Sequence, residues 1–347
     1  MIPPRKSTSR RQGGFSLIEL MVALVLGLVL IGGVINIFVT NQQAFRTNEN
    51  LARLQENARI SFELTAREMR QAGGNSCGAT LVSNTLVDPA ARWAYNWDGG
   101  SVRGFDGGQD ATGIVATGPG VGERVAGTDA VTVLSGGLDN GVTIVSHNPT
   151  SATLFLSTVN HGIQENEIVM VCDAGSAAIT QITNSSSGTN NTIVHNPGQG
   201  SNPPPNAPGN CTKGLGFPSV CTTNGTEKEM QGGGVVTRLS ASFWYIGNNP
   251  RGGRSLYRQQ SFAPAEEIAE GVVGLELKYL MRDTGSGNLG ADWIDATAIA
   301  DWSNAAPLQV VAVRMRATLQ TQQNVSIDGQ PLVRQLVHVV NIRNRSL

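Results

Sequence analysis

The chain has 347 residues, enough for one large or two ordinary globular domains. Apolar residues make up 40% and charged residues 15%, with 42 glycines against 15 prolines, a balance that favours β structure with many turns over a helical bundle. The formal net charge of −1 gives no indication of a nucleic-acid or polyanion partner.

The N-terminal segment is first basic and then apolar. Residues 1–14 contain no acid and four cations, which are Arg5, Lys6, Arg10 and Arg11. The run FSLIELMVALVLGLVLIGGVINIFV follows at residues 15–39, with Glu19 as its only charged residue. About 20 apolar residues in a helix span the hydrocarbon core of a bilayer, and the positive flank predicts a cytoplasmic N-terminus. Most of the chain is therefore predicted to lie on the opposite side of a membrane.

Two simpler interpretations of this segment are a secretory signal and a plain signal anchor. A secretory signal has a small-residue cleavage site after its apolar region. The sequence VTNQQAF, which follows here, is a poor site of that kind. The signal anchor remains an alternative.

Glu19 distinguishes the segment from a plain anchor. A carboxylate in a membrane segment costs about 2.5–3.5 kcal/mol on insertion scales and is usually functional, with a partner. No other charge in the run can pair with it. The partner is therefore expected from another chain or from processing. Cleavage between Gly14 and Phe15 would create an amine on Phe15, which could meet Glu19 of a neighbouring subunit.

The sequence GGFSLIEL resembles the class III signal of type IV prepilins and type II secretion pseudopilins. That pattern is a basic leader, Gly, Phe, three mostly apolar residues and Glu before a hydrophobic helix. The resemblance implies that a prepilin peptidase cuts after Gly14 and N-methylates Phe15. It also implies that Glu19 neutralises the N-terminal amine of a neighbouring subunit during assembly. The motif covers under a tenth of the chain.

A second helical pattern follows the apolar run. Apolar side chains recur at three-to-four-residue spacing, as in an amphipathic helix, at Leu51, Leu54, Ala58, Phe62, Ala66 and Met69. We predict one helix from Phe15 to about Ala72, roughly 87 Å long at 1.5 Å per residue, ended by Gly73 and Gly74. The alternative is an anchor followed by a separate surface helix, but no proline interrupts the pattern. Major pilins often carry a proline in the membrane half, where this chain has Asn36.

Short strands separated by turn formers are predicted over the rest of the chain. The predicted segments are a leader at 1–14, a membrane or filament-core helix at 15–40, its amphipathic continuation at 41–74, a loop-rich β subdomain at 75–234 and a β-sheet region at 235–347. In the fourth strand candidate of the last region, Val311, Val313, Met315, Ala317 and Leu319 alternate with Ala312, Arg314, Arg316 and Thr318. One sheet face is therefore expected to pack on the helix, giving one α+β domain.

Four cysteines allow three pairings, and an exported position makes disulfides plausible. The sequence CTKGLGFPSVC closes a short loop, which favours a bond between Cys211 and Cys221. Cys77 and Cys172 would then pair by elimination. A metal site is the alternative, but no C-x-x-C or C-x-x-H spacing occurs.

The C-terminal third is similar to the PilW family of minor pilins, and more loosely to the J-type minor pseudopilin of type II secretion. The order SLYRQ, EEIAEGVVGLELKYL, a Trp-containing loop, VVAVRMRATLQ and LVRQLVHVVNIRNR carries this similarity. It implies a pilin-like fold, a long helix packed on an antiparallel sheet, and a low-abundance subunit. Such a subunit joins other minor pilins at the filament tip and helps to start pilus assembly.

No motif predicts an enzyme or a cofactor. GSGNLG at 285–290 satisfies G-x-G-x-x-G but lacks the βαβ context, so a turn is predicted. No G-x-S-x-G, Walker A or H-E-x-x-H motif occurs. The histidines are scattered and are each expected on the surface or in a loop, at His147, His161, His195 and His338. A catalytic triad is spatial, however, and sequence alone leaves one open.

Two weaker site candidates lie near the C-terminus. Asp283, Asp292 and Asp295 surround a Gly-rich loop and could bind Ca²⁺, although the EF-hand spacing is absent. A basic strip suited to DNA capture could be formed by Arg314, Arg316, Arg334, Arg343 and Arg345. A solvated strand face is favoured over this strip, so no nucleic-acid partner is expected.

The resulting expectation is a type IV pilus minor pilin, a structural and assembly-priming subunit without catalysis or a cofactor. Its expected partners are the prepilin peptidase, other minor and major pilins and a tip adhesin. Its expected location is the bacterial inner membrane, with a periplasmic C-terminal domain, and then the pilus. The alternatives are a minor pseudopilin of a type II secretion system and a membrane-anchored periplasmic enzyme or binding protein.

Overall fold

The computed structural model describes residues 14, 16–79, 81–111, 113–137, 141–326 and 328–345, without the side chain of Arg345. Its first element is α1, Leu17–Gln71, a single 55-residue helix. Ser16 caps the N-terminus in an extended conformation. At the other end, Gly73 adopts a φ of +70° and its N–H donates to the carbonyl of Leu134 at 2.9 Å. Because this left-handed φ suits glycine, the chain leaves the helix where the sequence predicted.

The described residues form sixteen strands. Their bounds are β1 Val82–Asn84, β2 Val102–Phe105, β3 Ala130–Ser135, β4 Val142–Asn148, β5 Thr153–Leu156, β6 Ile168–Cys172, β7 Ala177–Gln181, β8 Asn184–Ser185, β9 Thr192–Val194, β10 Val235–Arg238, β11 Ser240–Asn248, β12 Arg254–Gln260, β13 Glu266–Glu270, β14 Val272–Asp283, β15 Leu308–Gln320 and β16 Val333–Asn341. Short 3₁₀ turns lie at Pro89–Ala91, Ala296–Ala298 and Arg343–Arg345.

These strands form three sheets. The orders are β1-β7-β6-β10-β4-β5-β9-β8, β13-β12-β11-β3-β2 and β14-β15-β16. All pairs are antiparallel except β1 with β7. One long helix packed with antiparallel sheets confirms the predicted α+β, pilin-like class.

Two sheets contain strands from both sides of position 234. β10 lies between β6 and β4 of the eight-stranded sheet, whereas β2 and β3 pair into the sheet of β11 to β13. The sheets therefore do not follow the segment boundary expected at 234/235. The reason is that strand pairing joins residues distant in sequence, which composition along the chain does not report.

The main core lies between α1, the three-stranded sheet and one face of the five-stranded sheet. α1 contributes Leu54, Ala58, Ala66 and Met69, and β15 contributes Val313, Met315, Ala317 and Leu319. The predicted inward face of β15 is therefore confirmed. Ala312 departs from the alternation because it is buried as well. The register between β14 and β15 shifts beside it, at a bulge that changes which face each residue presents.

A second core packs on the eight-stranded sheet. Its buried residues include Ile144, Leu154, Val169, Val171 and Ile193. Cys77 and Cys172 form a disulfide that connects the segment after α1 to β6. Cys211 and Cys221 form a second disulfide across a short loop. These are the two pairs favoured in the sequence analysis, and no described cysteine is free.

Candidate functional site

The N-terminus of α1 is set by a local cap. The Ser16 side-chain oxygen accepts from the Glu19 N–H at 3.3 Å, and the Ser16 carbonyl accepts from the Glu19 and Leu20 N–H groups at 3.1 and 3.2 Å. Ser followed three residues later by Glu is the capping-box spacing. Glu19 therefore lies in the first turn, where the helix dipole favours a negative charge.

Glu19 has no ion-pair partner among the described residues, and it is exposed. The apolar side chains around it are exposed too, from Leu17 at 79% to Phe38 at 66%. A single chain thus leaves this half of α1 uncovered. A surface of this kind needs lipid or other subunits around it, because water would solvate it poorly.

Polar side chains in the uncovered half of α1 form hydrogen bonds to backbone carbonyls of the same helix. Asn36 Nδ2 donates to the carbonyl of Gly32 at 2.9 Å, and the Thr40 hydroxyl donates to the carbonyl of Asn36 at 2.8 Å. Such i to i−4 bonds suit a helix in an apolar surrounding, where an unsatisfied polar group is costly. The helix stays continuous through Asn36, so the departure from proline does not break it here.

Gly14 and three glycines of α1 are not required by packing among the described residues. A Cβ built on Gly14, Gly27, Gly32 or Gly33 meets no described atom within 4 Å. Intramolecular fit therefore gives no reason for glycine at these positions. Phe15, the expected methylation site, lies outside the described residues.

The second half of α1 is fixed to the folded domain by packing and polar contacts. Phe62 stacks on His338 of β16 with ring centroids 3.6 Å apart. Asn57 Nδ2 donates to the carbonyl of Glu270 at 2.9 Å, and Asn50 Nδ2 contacts Gln323 Oε1 at 3.3 Å. The helix is thus held along its length from about residue 50 to its end.

A half-buried ion-pair cluster fixes the last turns of α1. Glu68 accepts from Trp244 Nε1 at 2.6 Å and from Arg258 Nη1 at 3.1 Å. Arg258 also pairs with Glu266 at 2.9 Å and lies over the Trp244 ring at 5.7 Å. Because Trp244 and Arg258 belong to β11 and β12, this cluster connects α1 to the middle of the five-stranded sheet.

Two of the three weak Ca²⁺ candidates, Asp283 and Asp295, make local structural contacts. Asp283 accepts from the N–H groups of Gly285 and Ser286 at 2.9 and 2.7 Å, and these bonds lower its pKa. Asp295 pairs with Lys278 at 2.6 Å. Over the described residues, no group of three or more His, Cys, Asp or Glu side chains is placed to hold a metal. The GSGNLG segment turns directly after β14 with no helix behind it, as predicted for a turn.

Two histidines correct the expectation of a surface or loop position, because His147 is buried within β4 and His338 is half-buried within β16. His161 and His195 lie in loops, as expected, but both are buried. His147 Nε2 and His195 Nε2 are 3.0 Å apart. His147 Nδ1 accepts from the N–H of Met230 at 3.1 Å, so His147 carries its proton on Nε2 and donates to His195. His147 and His195 are 48 residues apart in the sequence, so local spacing did not predict their contact.

Burial makes both of these imidazoles poor bases. It lowers the pKa of His147 to about 4 and that of His195 to about 3, the nearby His147 adding to the second shift. The neutral pair is therefore a structural contact of the loop-rich region. His195 Nδ1 has no hydrogen-bond partner among the described atoms.

A buried polar cluster that the sequence did not indicate is formed by residues of the long loop between β2 and β3. Arg124 is 1% exposed and donates to the carbonyls of Gln109 at 2.6 Å and Asp106 at 3.0 Å. Asp129 Oδ2 accepts from the N–H of Leu277 at 2.7 Å. Burial raises the pKa of Asp129 to about 6. These contacts fix the long loop onto β14 and do not form an open pocket for chemistry.

The candidate basic strip is partly neutralised, in agreement with the favoured solvated strand face. Arg316 pairs with Glu276 at 3.1 Å, and Arg314 lies over the Trp293 ring at 5.3 Å. Arg334 is exposed on β16, and the side chain of Arg345 lies outside the described residues. The arrangement is that of a solvated strand face.

One helix in the described residues, α1, is long and apolar enough to cross a membrane, with a mean hydropathy of 2.8 over its most apolar window. A family comparison matches residues 9–35 to the prokaryotic N-terminal methylation motif. No match to a curated protein or to a solved structure was found.

The matched segment contains Gly14, Phe15, Ser16 and Glu19, and it runs into the uncovered half of α1. A prepilin-type signal on a long apolar helix that is packed against antiparallel sheets supports a type IV pilin-like prepilin. Such a signal implies processing by a prepilin peptidase, anchoring in the inner membrane and assembly with other pilin-type subunits. It points to a structural subunit rather than an enzyme.

Proposed function

We propose that the protein is a minor pilin of a type IV pilus, a structural subunit that helps to start assembly in a complex with other minor pilins. The observation that carries this proposal is Glu19, a carboxylate without an ion-pair partner among the described residues, at the head of an uncovered apolar helix whose other half is fixed to the folded domain. The described part of a single chain satisfies neither the charge nor the apolar surface. Neighbouring helices would satisfy both.

The proposed chemistry has two steps. The peptidase hydrolyses the peptide bond between Gly14 and Phe15 with one water molecule, which releases the leader 1–14, and then transfers a methyl group from a methyl-donor cosubstrate to the new amine of Phe15. Glu19 of one subunit then pairs with the amine of its neighbour, which offsets the cost of placing either charge in an apolar surrounding. Residues 15–40 would lie in the membrane or filament core, with 41–74, the loop-rich 75–234 and the sheet region 235–347 outside it. A tip adhesin is the further partner proposed for the sheet region.

The processing step is tested by the N-terminal mass spectrum of the mature protein, with and without the host's prepilin peptidase. We expect a chain that begins at N-methylated Phe15 when the peptidase is present. An intact Met1 start, or cleavage beyond Val39, would exclude the proposal and leave an anchored or secreted protein of other function.

The assembly step is tested by Glu19→Ala, with Glu49→Ala as the matched control. Glu49 lies on the same helix beyond the apolar run and pairs with Arg53 at the surface. We expect the Glu19 variant to be processed but absent from sheared pili, and the Glu49 variant to be incorporated like the wild type. Unchanged incorporation of the Glu19 variant would contradict the proposal. Deletion that abolishes protein export but leaves pili intact would instead assign the chain to a type II secretion pseudopilus.

A further inference from the structure

β16 has one open edge. Along its other edge it pairs with β15 over nine positions, from Val333 opposite Gln320 to Asn341 opposite Ala312. Within the described part of the chain, no backbone group of residues 333–341 bonds to any other segment. Half of the main-chain donors and acceptors of this strand therefore face outward without a protein partner.

The other sheet ends are short or covered. β1, β8, β2 and β13 have three, two, four and five residues. β14 is long, but Tyr279 exchanges two backbone hydrogen bonds with Ile294, at 2.8 and 3.0 Å. The carbonyl of Leu275 accepts from the N–H of Asp129 at 2.9 Å. Natural sheets protect their edges by such means, and β16 lacks them.

The side chains of β16 form an apolar row beside this edge. Val333, Val337 and Val339 are 56%, 52% and 52% exposed, on the face turned away from α1. On the opposite face, His338 stacks on Phe62 and holds the strand against the helix. The edge is therefore both rigid and apolar, which is what strand addition by an extended segment requires.

Charge indicates which segment fits. β16 carries the exposed Arg334 and no carboxylate. Arg334 alternates with the valines, so it lies on the other face of the strand from Val333, Val337 and Val339. A segment whose apolar side chains meet the valine row therefore places its alternate side chains on the face of Arg334. Opposite charges across paired strands stabilise and like charges destabilise, so an acid at such a position fits this edge better than a cation.

We propose that the open edge of β16 binds an extended segment of another protein in which apolar residues alternate with Asp or Glu. Main-chain hydrogen bonds would continue the three-stranded sheet. The valine row would contact the apolar side chains of the segment, and Arg334 would pair with its acids. This inference goes beyond the proposed assembly role. Assembly depends on α1 and is altered by Glu19→Ala, whereas binding at the edge of β16 is altered by Arg334→Glu.

The test uses the full-length chain in detergent micelles and fluorescein-labelled decapeptides, with binding followed by anisotropy. The probes are alternating Val-Glu, alternating Val-Lys, and Val-Glu with alternate backbone amides N-methylated. We expect the Val-Glu peptide to bind at least about threefold more tightly than the Val-Lys peptide, since an attractive pair with Arg334 replaces a repulsive one. We expect the N-methylated peptide not to bind, because it cannot complete the ladder.

Arg334→Glu should reverse the preference between the Val-Glu and Val-Lys peptides. Arg67→Glu, which makes the same charge change at an exposed position of α1, should leave it unchanged. Equal binding of the N-methylated peptide would overturn the proposal by showing attraction through charge alone, and so would a failure of all three peptides to bind.

A Val337→Cys variant tests the competing occupant. All four native cysteines are in disulfides, so a new cross-link would report only position 337. Disulfide-linked dimers formed under mild oxidation would show that a second copy covers the edge, and they would also overturn the proposal. Normal processing and Glu19-dependent incorporation in the same strain would leave the proposed function standing in that case.

Discussion

The indole Nε1 of Trp244 donates a 2.6 Å hydrogen bond to the carboxylate of Glu68, joining the last turns of α1 to the centre of the five-stranded sheet. Trp244 is fully buried. Through this contact and the pair with Arg258, a displacement of the helix in an assembly would be transmitted to the folded domain.

We predict that Glu68→Ala lowers the free energy of unfolding of the domain by about 1–3 kcal/mol, because it leaves the buried Trp244 N–H without its acceptor and removes one of the two carboxylates that pair with Arg258. Chemical denaturation of the full chain in detergent, followed by Trp fluorescence, measures the change. The control is Glu63→Ala, which removes an exposed i,i+4 pair with Arg59 and should cost less than about 0.5 kcal/mol. Equal effects of the two substitutions would contradict the prediction.

The two disulfides should differ in their contribution to stability. The Cys77–Cys172 bond joins residues 95 apart in sequence and the Cys211–Cys221 bond joins residues 10 apart. In the chain-entropy model the longer loop contributes about 2 kcal/mol more. We therefore predict a larger loss of unfolding free energy for Cys77→Ser/Cys172→Ser than for Cys211→Ser/Cys221→Ser. The reverse order in denaturant titrations would contradict this.

The buried histidine pair should make the fold sensitive to acid. The folded pKa values of His147 and His195 lie below the ordinary value of 6.5, so the stability they contribute is complete above pH 6.5 and is lost as the pH falls towards about 4 and about 3. Between pH 7 and pH 5 we expect a loss of up to about 2 kcal/mol for each histidine.

Unfolding free energies at pH 7 and pH 5 measure this loss. The His147→Gln/His195→Gln variant should lose correspondingly less between the two pH values. A double variant with the same pH dependence as the wild type would show that the pair does not titrate on unfolding.

The titration of Asp129 should change the free energy of unfolding in the direction opposite to that of the histidine pair. Its folded pKa of about 6 lies above its ordinary value of 3.8, so its contribution to stability increases as the pH falls from above 6 towards 3.8. We expect this to offset about 1 kcal/mol of the histidine effect between pH 7 and pH 5. Asp129→Asn, which keeps an oxygen acceptor for the Leu277 N–H, should steepen the loss of stability over this range. A shallower loss in the variant would contradict the assignment.

The sequence by itself determined the local features of this protein. The apolar run, the three-to-four-residue spacing and Gly73 are all read within a few residues, and the observed bounds of α1, Leu17–Gln71, lie within two residues of the predicted Phe15 and Ala72. The period-two pattern of β15 likewise predicted which face enters the core. Backbone periodicity is a near-neighbour property, so a single sequence contains it.

Only the tertiary structure decided which distant segments meet. The placement of β10 between β6 and β4, the 3.0 Å approach of His147 and His195, and the contact of Glu68 with Trp244 across 176 residues have no signature in local spacing. The open edge of β16 is of the same kind, because a strand's pattern does not reveal whether one or both of its edges find a partner. Such pairings follow from the packing of the whole chain, in which many sequence-distant contacts form together.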